Sequence, residues 1–260
     1  VKGPDAPEGT ATFVLGKGGT GKTVLAQGLA AREARSGEAV LLVRLGESVI
    51  EGGEPARTPT RTTHGYDVVD LEPRFAMDEY VRRVVRIGAL ADRVTSSDIY
   101  RKFFAAAPGL PELVTLGRIR AYAREKDRAN APRWSRVIVD CPSSGNGLLM
   151  LETPFAARRA VPVGPFAELA SQIMTWLEEE TEVALVAIPE EMAVVESIEF
   201  RDDLASRTAI PVTRVFLNRM AGEKLSAEAR RALAGPDADL FPAPLAQAGR
   251  RALRRARIEA

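Results

Sequence analysis

The run Gly16-Lys17-Gly18-Gly19-Thr20-Gly21-Lys22-Thr23 gathers glycines, two ammonium groups and two hydroxyls into one short stretch. It fits the pattern G-x-x-x-x-G-K-[ST], and the pattern has a mechanism. Glycines let consecutive backbone N–H groups turn inward around phosphate oxygens, and a helix N-terminus adds positive potential at the same point. Lys22 can then reach the β- and γ-phosphates, and the Thr23 hydroxyl can ligate Mg²⁺. A glycine-rich turn that binds nothing is the alternative. The context weighs against it: the apolar run Phe13-Val14-Leu15 precedes the motif, and Val24, Leu25, Gly28, Leu29 and Ala30 to Arg35 follow as a helix with one apolar face. The motif implies a nucleoside triphosphate.

A carboxylate that could serve the same site lies far along the chain. Val137-Ile138-Val139 reads as a buried strand, and it ends in Asp140. An aspartate there can hold the water shell of Mg²⁺. Pro142 and Gly145 then suit a loop that rearranges with the nucleotide state. His64 is the single histidine and sits in a polar stretch, which reads as solvated. Cys141 is the single cysteine, which excludes both an internal disulfide and a cysteine zinc site.

The elements that must position these groups alternate in period. Ala39 to Val43 reads as a second buried strand, Glu51 to Gly65 as a loop, and Tyr66 to Leu71 as a short strand. From Ala76 the spacing turns helical: Met77, Val81, Val84, Val85 and Gly88 share one face, Ser96-Ser97 opens a second helix, and Leu113, Leu116, Ile119 and Ala123 mark a third. Residues 76–127 thus form a helical block inserted between strands, read as core packing ahead of a cargo groove. Val183 to Ile188 and Val212 to Leu217 are later strands. Ser226 to Leu233 and Pro244 to Ile258 read as helices, the last with Arg250, Arg251, Arg254, Arg255 and Arg257. That arginine run reads as a solvated face, with an acidic partner or a membrane surface as the alternative.

Bulk properties bound the rest. The 260 residues carry 36 basic and 35 acidic side chains, a net charge of +1, so no global field draws the chain to nucleic acid. No run approaches the ~18 apolar residues of a spanning helix, and none resembles a signal-peptide core. The expectation is one cytoplasmic P-loop ATPase domain over residues 1–260. Its fold would be α/β: a doubly wound, mostly parallel sheet with nucleotide at the carboxyl ends of the strands.

Lys17, directly after the first glycine, narrows the class. GKGGTGKT resembles the deviant Walker A of the SIMIBI ATPases, which include MinD, ParA, the nitrogenase iron protein and the ArsA/GET proteins. DCPSSGNGLLMLETP from Asp140, AAAPGLPELVTLGRI from Ala105 and IPEEMAVVE from Ile188 look more closely like the bacterial branch of the ArsA/GET family, from about Ala11 to Met220. The resemblance implies ATP with Mg²⁺, bound by Gly16, Lys17, Gly18, Gly19, Thr20, Gly21, Lys22 and Thr23. It implies adenine reading by Asn218, metal contact through Thr23 and Asp140, and a cross-dimer role for Lys17. It also implies a nucleotide-sandwich homodimer, or a heterodimer with a paralogue, that handles a protein client. Departures are equally specific. The aspartate usually found after the second strand is replaced by Gly46 or Glu47, leaving Glu47 as the nearest surrogate for orienting the attacking water. The zinc CxxC of the tail-anchored-protein branch and the metalloid-binding cysteines of the arsenite pump are both missing, which argues against arsenite export. A catalytically weak structural subunit, or a MinD/ParA-like positioning ATPase, is the alternative reading.

Overall fold

The computed structural model describes residues 10–45, 56–85 and 107–220, with a few positions between 92 and 102. Gly46, Glu47, the start of the 51–65 loop, Gly88, most of the second helix expected in the 76–127 block and both expected C-terminal helices lie outside the described residues.

The chain runs β1 (Thr10–Gly16), α1 (Lys22–Arg35), β2 (Val40–Leu45), β3 (Thr60–Arg61), β4 (Asp67–Leu71), α2 (Pro73–Val84), α3 (Leu110–Ala123), β5 (Arg136–Asp140), α4 (Ser144–Ala160), α5 (Pro165–Glu179), β6 (Thr181–Ala187), α6 (Glu191–Arg207) and β7 (Val212–Leu217). The strands form one sheet in the order β3-β4-β2-β5-β1-β6-β7. Every pairing is parallel except β3 with β4. β1 and β2 are buried along their whole length. That is why both read as continuous apolar runs rather than alternating ones: helices cover both faces of a parallel sheet.

Strand alternation divides the interior in two. Phe13, Leu15, Leu41, Val43, Val137 and Val139 point to one face, where they pack with residues of α2 to α6 such as Met77, Leu116, Leu151, Trp176 and Leu204. Val14, Leu42, Ile138, Ala184 and Val186 point to the other, where α1 covers them with Ala26, Leu29 and Ala30. The fold is a doubly wound α/β sheet of the P-loop NTPase type. The first face is the thicker one. Between α2, α3 and α5 it keeps a cleft of about 270 Å³ lined by Tyr80, Arg83, Val114, Leu169 and others.

Several elements differ from the sequence expectation, each for a physical reason. The Gly/Pro/Thr-rich loop contains a short strand, Thr60–Arg61, paired antiparallel with β4. The first helix of the block begins at Pro73, because a proline is well tolerated at the first helical position. Gly145, expected in a loop, lies in the first turn of α4, and Gly147 follows it in the same helix. A Cβ on Gly147 would run into the Leu15 side chain, so the glycine permits helix and strand to approach. Val24, read as part of the apolar face of α1, is 71% exposed.

The thick face is anchored by Trp176 of α5, which meets Phe13 of β1 edge to face with ring centroids 6.0 Å apart. Both are completely buried, and the indole N–H of Trp176 has no partner. Trp176→Ala should therefore lose about 3–5 kcal/mol in urea unfolding. Trp176→Phe should lose clearly less, because it also removes an unsatisfied buried donor. Equal losses in the two variants would contradict this packing.

Candidate functional site

The candidate site stands at the carboxyl ends of β1, β2 and β5, where the first turn of α1 begins. β1 ends at Gly16 with φ +155°, and a Cβ there would strike the Val186 carbonyl of β6. Gly16 is thus fixed by close backbone approach as well as by conformation. Gly19 and Gly21 also have positive φ, at +79° and +94°. Gly21 is the N-cap of α1; it offers no side-chain cap, and no acidic residue lies in the first turn. The first N–H groups of α1 are accordingly left for an external acceptor.

The loop is tied from inside and from behind. The Lys17 carbonyl accepts from the Thr20 backbone N–H (3.3 Å), the Thr20 hydroxyl (2.9 Å) and the Lys22 ammonium (3.2 Å). Lys22 therefore lies back over its own loop. From β7, the Asn218 side-chain amide donates to the Thr20 carbonyl at 2.8 Å, and its oxygen accepts from the Arg219 N–H at 2.8 Å. The Asn218 backbone N–H donates to Ala187 at 2.8 Å. Asn218 keeps one amide hydrogen outside these bonds. A Cβ on Gly21 would collide with that amide nitrogen, which explains a glycine at this place.

Asp140 is 3% exposed at the end of β5, and its Oδ1 has no partner. Burial raises its pKa above the ordinary carboxylate value, while the Thr23 side chain, close enough to hydrogen-bond it, and the charges of Lys22 and Arg44 act in the opposite direction. The three residues assigned to the phosphate and metal end, Lys22, Thr23 and Asp140, are thus together. Among the described residues no cluster of three or more His, Cys, Asp or Glu side chains is placed to hold a metal. One carboxylate and one hydroxyl fit a magnesium ion that keeps several waters and takes its other ligands from phosphates. The orphaned Asp140 oxygen and the uncapped start of α1 are the observations that support that fit.

Two partnerships were not foreseen from sequence. Lys17 forms an ion pair with Glu196 of α6 at 2.6 Å, both side chains being partly exposed. Arg44, within the otherwise apolar β2, is 4% exposed and pairs with Asp70 of β4 at 2.6 Å. A charge inside VLLVRL, matched by one in the neighbouring strand DVVDL, was a legible signal for the second pair. Nothing in the sequence signalled the first. His64 is exposed and stacks on Tyr66, away from any catalytic arrangement. Cys141 is fully buried, and burial holds its thiol pKa well above the usual value, so it is no soft-metal ligand.

The family described as Anion-transporting ATPase matches residues 10–163, which include the glycine-rich loop, β2 and Asp140. The chain belongs to this family. Proteins with similar sequences extend beyond that match. ATPase BagA of Mycobacterium tuberculosis (strain ATCC 25618 / H37Rv) is 27% identical over 252 residues, 91% of this chain and 73% of that protein. A Mycobacterium bovis protein also named as an ATPase, Mb3704, matches to the same extent, at 27% over 252 residues. Protein Rv2184c of M. tuberculosis is 29% identical over 162 residues, 55% of this chain and 37% of that protein. Among the described residues of this family member, no helix is long and apolar enough to cross a membrane.

Asp140 gives a test of the site's design. Its folded-state pKa is raised, so the native state is penalised once the carboxylate ionises, and stability falls as pH rises through the unfolded and then the folded value. Asp140→Asn removes that penalty. The variant should be more stable than the wild type at neutral pH, with the difference shrinking towards acid pH, by thermal or urea unfolding. It should also weaken Mg-ATP binding on the order of tenfold or more. A variant less stable at neutral pH would show that Asp140 is a structural carboxylate.

Proposed function

We propose that the chain binds Mg-ATP at Gly16 to Thr23 and hydrolyses it slowly, working as a nucleotide-sandwich dimer that handles a protein client. The observation that carries the reading is the convergence of the uncapped α1 N-terminus, Lys22, Thr23 and the orphaned Asp140 oxygen on one point. Backbone N–H groups of the loop accept the phosphate charge, and Lys22 exchanges the Lys17 carbonyl for a phosphate oxygen. Bound Mg²⁺ would supply charge neutralisation at the phosphates, and Thr23 and Asp140 are the residues that would hold it. Asn218, already tied to the loop, offers its remaining N–H to the base, which favours adenine because the sequence lacks the aspartate that guanine-reading loops place after it.

The dimer rests on Lys17. Its ammonium is engaged by Glu196 across the loop, so it stays clear of Lys22 and can be handed to a facing nucleotide. That exposed pair holds it weakly. A client surface is available in the cleft between α2, α3 and α5. A second reading, a nucleotide-binding subunit that pairs with an active paralogue, is favoured by Gly46 or Glu47 standing where the family usually has a water-orienting aspartate. Both readings share the nucleotide and differ in turnover.

Calorimetry should find Mg-ATP bound in preference to Mg-GTP, with binding abolished by Lys22→Ala. Unchanged affinity in that variant removes the proposal. In analytical ultracentrifugation with a non-hydrolysable ATP analogue, Lys17→Ala should bind nucleotide nearly as wild type but dimerise more weakly. A chain that is monomeric with and without nucleotide, alone and with co-expressed paralogues, contradicts the dimer. For turnover, Gly46→Asp should raise a low basal rate and Glu47→Ala should lower it further. Brisk wild-type hydrolysis that Glu47→Ala does not slow would sink the surrogate role of Glu47.

A further inference from the structure

Thr20 occupies a position that the glycine-rich pattern leaves open, yet it is 1% exposed and every polar group it has is bonded. Its N–H and hydroxyl both go to the Lys17 carbonyl, at 3.3 and 2.9 Å. Its own carbonyl accepts from the Asn218 side chain at 2.8 Å, across 198 positions of sequence. Asn218 is itself fixed on three sides. Its backbone N–H donates to the Ala187 carbonyl of β6, its Oδ1 accepts from the Arg219 N–H, and its Nδ2 donates to Thr20. A donor partner at one end of the amide and an acceptor partner at the other allow one orientation of the group.

Arg219 makes its bond to Asn218 with φ at +57°, in the left-handed region that residues other than glycine seldom adopt. Such backbone persists only where its surroundings over-determine it, and it gathers at ligand sites. The consequence lies one peptide away. The link from Thr20 to Gly21 is trans. In a planar trans peptide the carbonyl and the N–H point in opposite directions. Tying the Thr20 carbonyl to Asn218 therefore turns the Gly21 N–H away from β7. That N–H has no partner among the described residues, and it joins the free donors at the start of α1.

We propose that Asn218 is a positioning residue of the phosphate loop, one that sets the peptide between Thr20 and Gly21 so that the Gly21 N–H is aimed at a phosphate oxygen before any nucleotide arrives. The inference rests on the Mg-ATP reading above and gives Asn218 a second role beside the base. A contact with the base alone makes Asn218 matter only to ligands that carry one. A clamp on the loop makes it matter to a bare polyphosphate as well, because donors already oriented need no reorganisation on binding.

Calorimetry with Mg-ATP and with Mg-tripolyphosphate, which has the phosphates and no base, separates the two roles. Asn218→Ala should weaken both ligands, tripolyphosphate by roughly fivefold, the loss expected for one hydrogen bond. Asn218→Asp keeps the size and the acceptor for Arg219 but loses the donor to Thr20, and it should weaken tripolyphosphate at least as much. In both variants without ligand, hydrogen exchange should quicken at the Thr20 amide while β1 stays protected. Weakening confined to Mg-ATP overturns the clamp and leaves Asn218 as a base contact. Loss of protection throughout β1 also overturns it, because Asn218 is then a residue of the whole fold. Wild-type protein that binds Mg-ATP but not tripolyphosphate does the same, since a preformed cradle needs no base. Wild-type protein that binds neither removes the nucleotide reading and this inference with it.

Discussion

A carboxylate buried without a full set of partners governs this structure. Asp140 sits at the carboxyl end of β5, 3% exposed and one oxygen short of a hydrogen bond. Leaving such a group in a folded protein costs on the order of 1–3 kcal/mol. What surrounds it reduces that cost without removing it: Thr23 and Lys22 from the start of α1, and Arg44 from β2. Each is placed there by the parallel sheet, which brings the ends of β1, β2 and β5 side by side.

The loop above Asp140 is held by backbone proximity rather than by side-chain packing. Gly16 lies against the Val186 carbonyl, and Gly21 against the Asn218 amide. These contacts tie the loop to β6 and β7, elements contributed by the last part of the described chain. A loop defined by residues 16–23 therefore depends on a strand nearly two hundred positions later. The Asn218 bond to Thr20 makes that dependence explicit. It also links the place where a base would lie to the place where phosphates would lie.

Much of this was legible in the sequence because a parallel sheet writes its central strands as plain apolar runs. β1, β2, β5, β6 and β7 are all legible as such runs, with boundaries within a few residues. What escaped notice shares a cause. Gly145 reads as a loop residue, yet it opens α4, the helix in which Gly147 packs tightly on Leu15 despite glycine's poor helix propensity. Val24 was assigned to a buried face by its chemistry alone, but the helix turns it outward beside the loop. The pair Lys17–Glu196 joins residues distant in sequence and could come only from the fold, whereas single charges inside two apolar strands mark Arg44 and Asp70 as partners.

The central claim is that the backbone at the start of α1 is a phosphate cradle completed by Lys22, Thr23 and Asp140. Hydrogen–deuterium exchange with and without Mg-ATP addresses it at the level of individual amides. The account predicts new protection across Gly18 to Leu25, with a smaller gain at Asn218 and Arg219, and little change in strands already buried. Unaltered exchange at Gly18 to Leu25 under saturating Mg-ATP, or protection confined to another part of the chain, would contradict it.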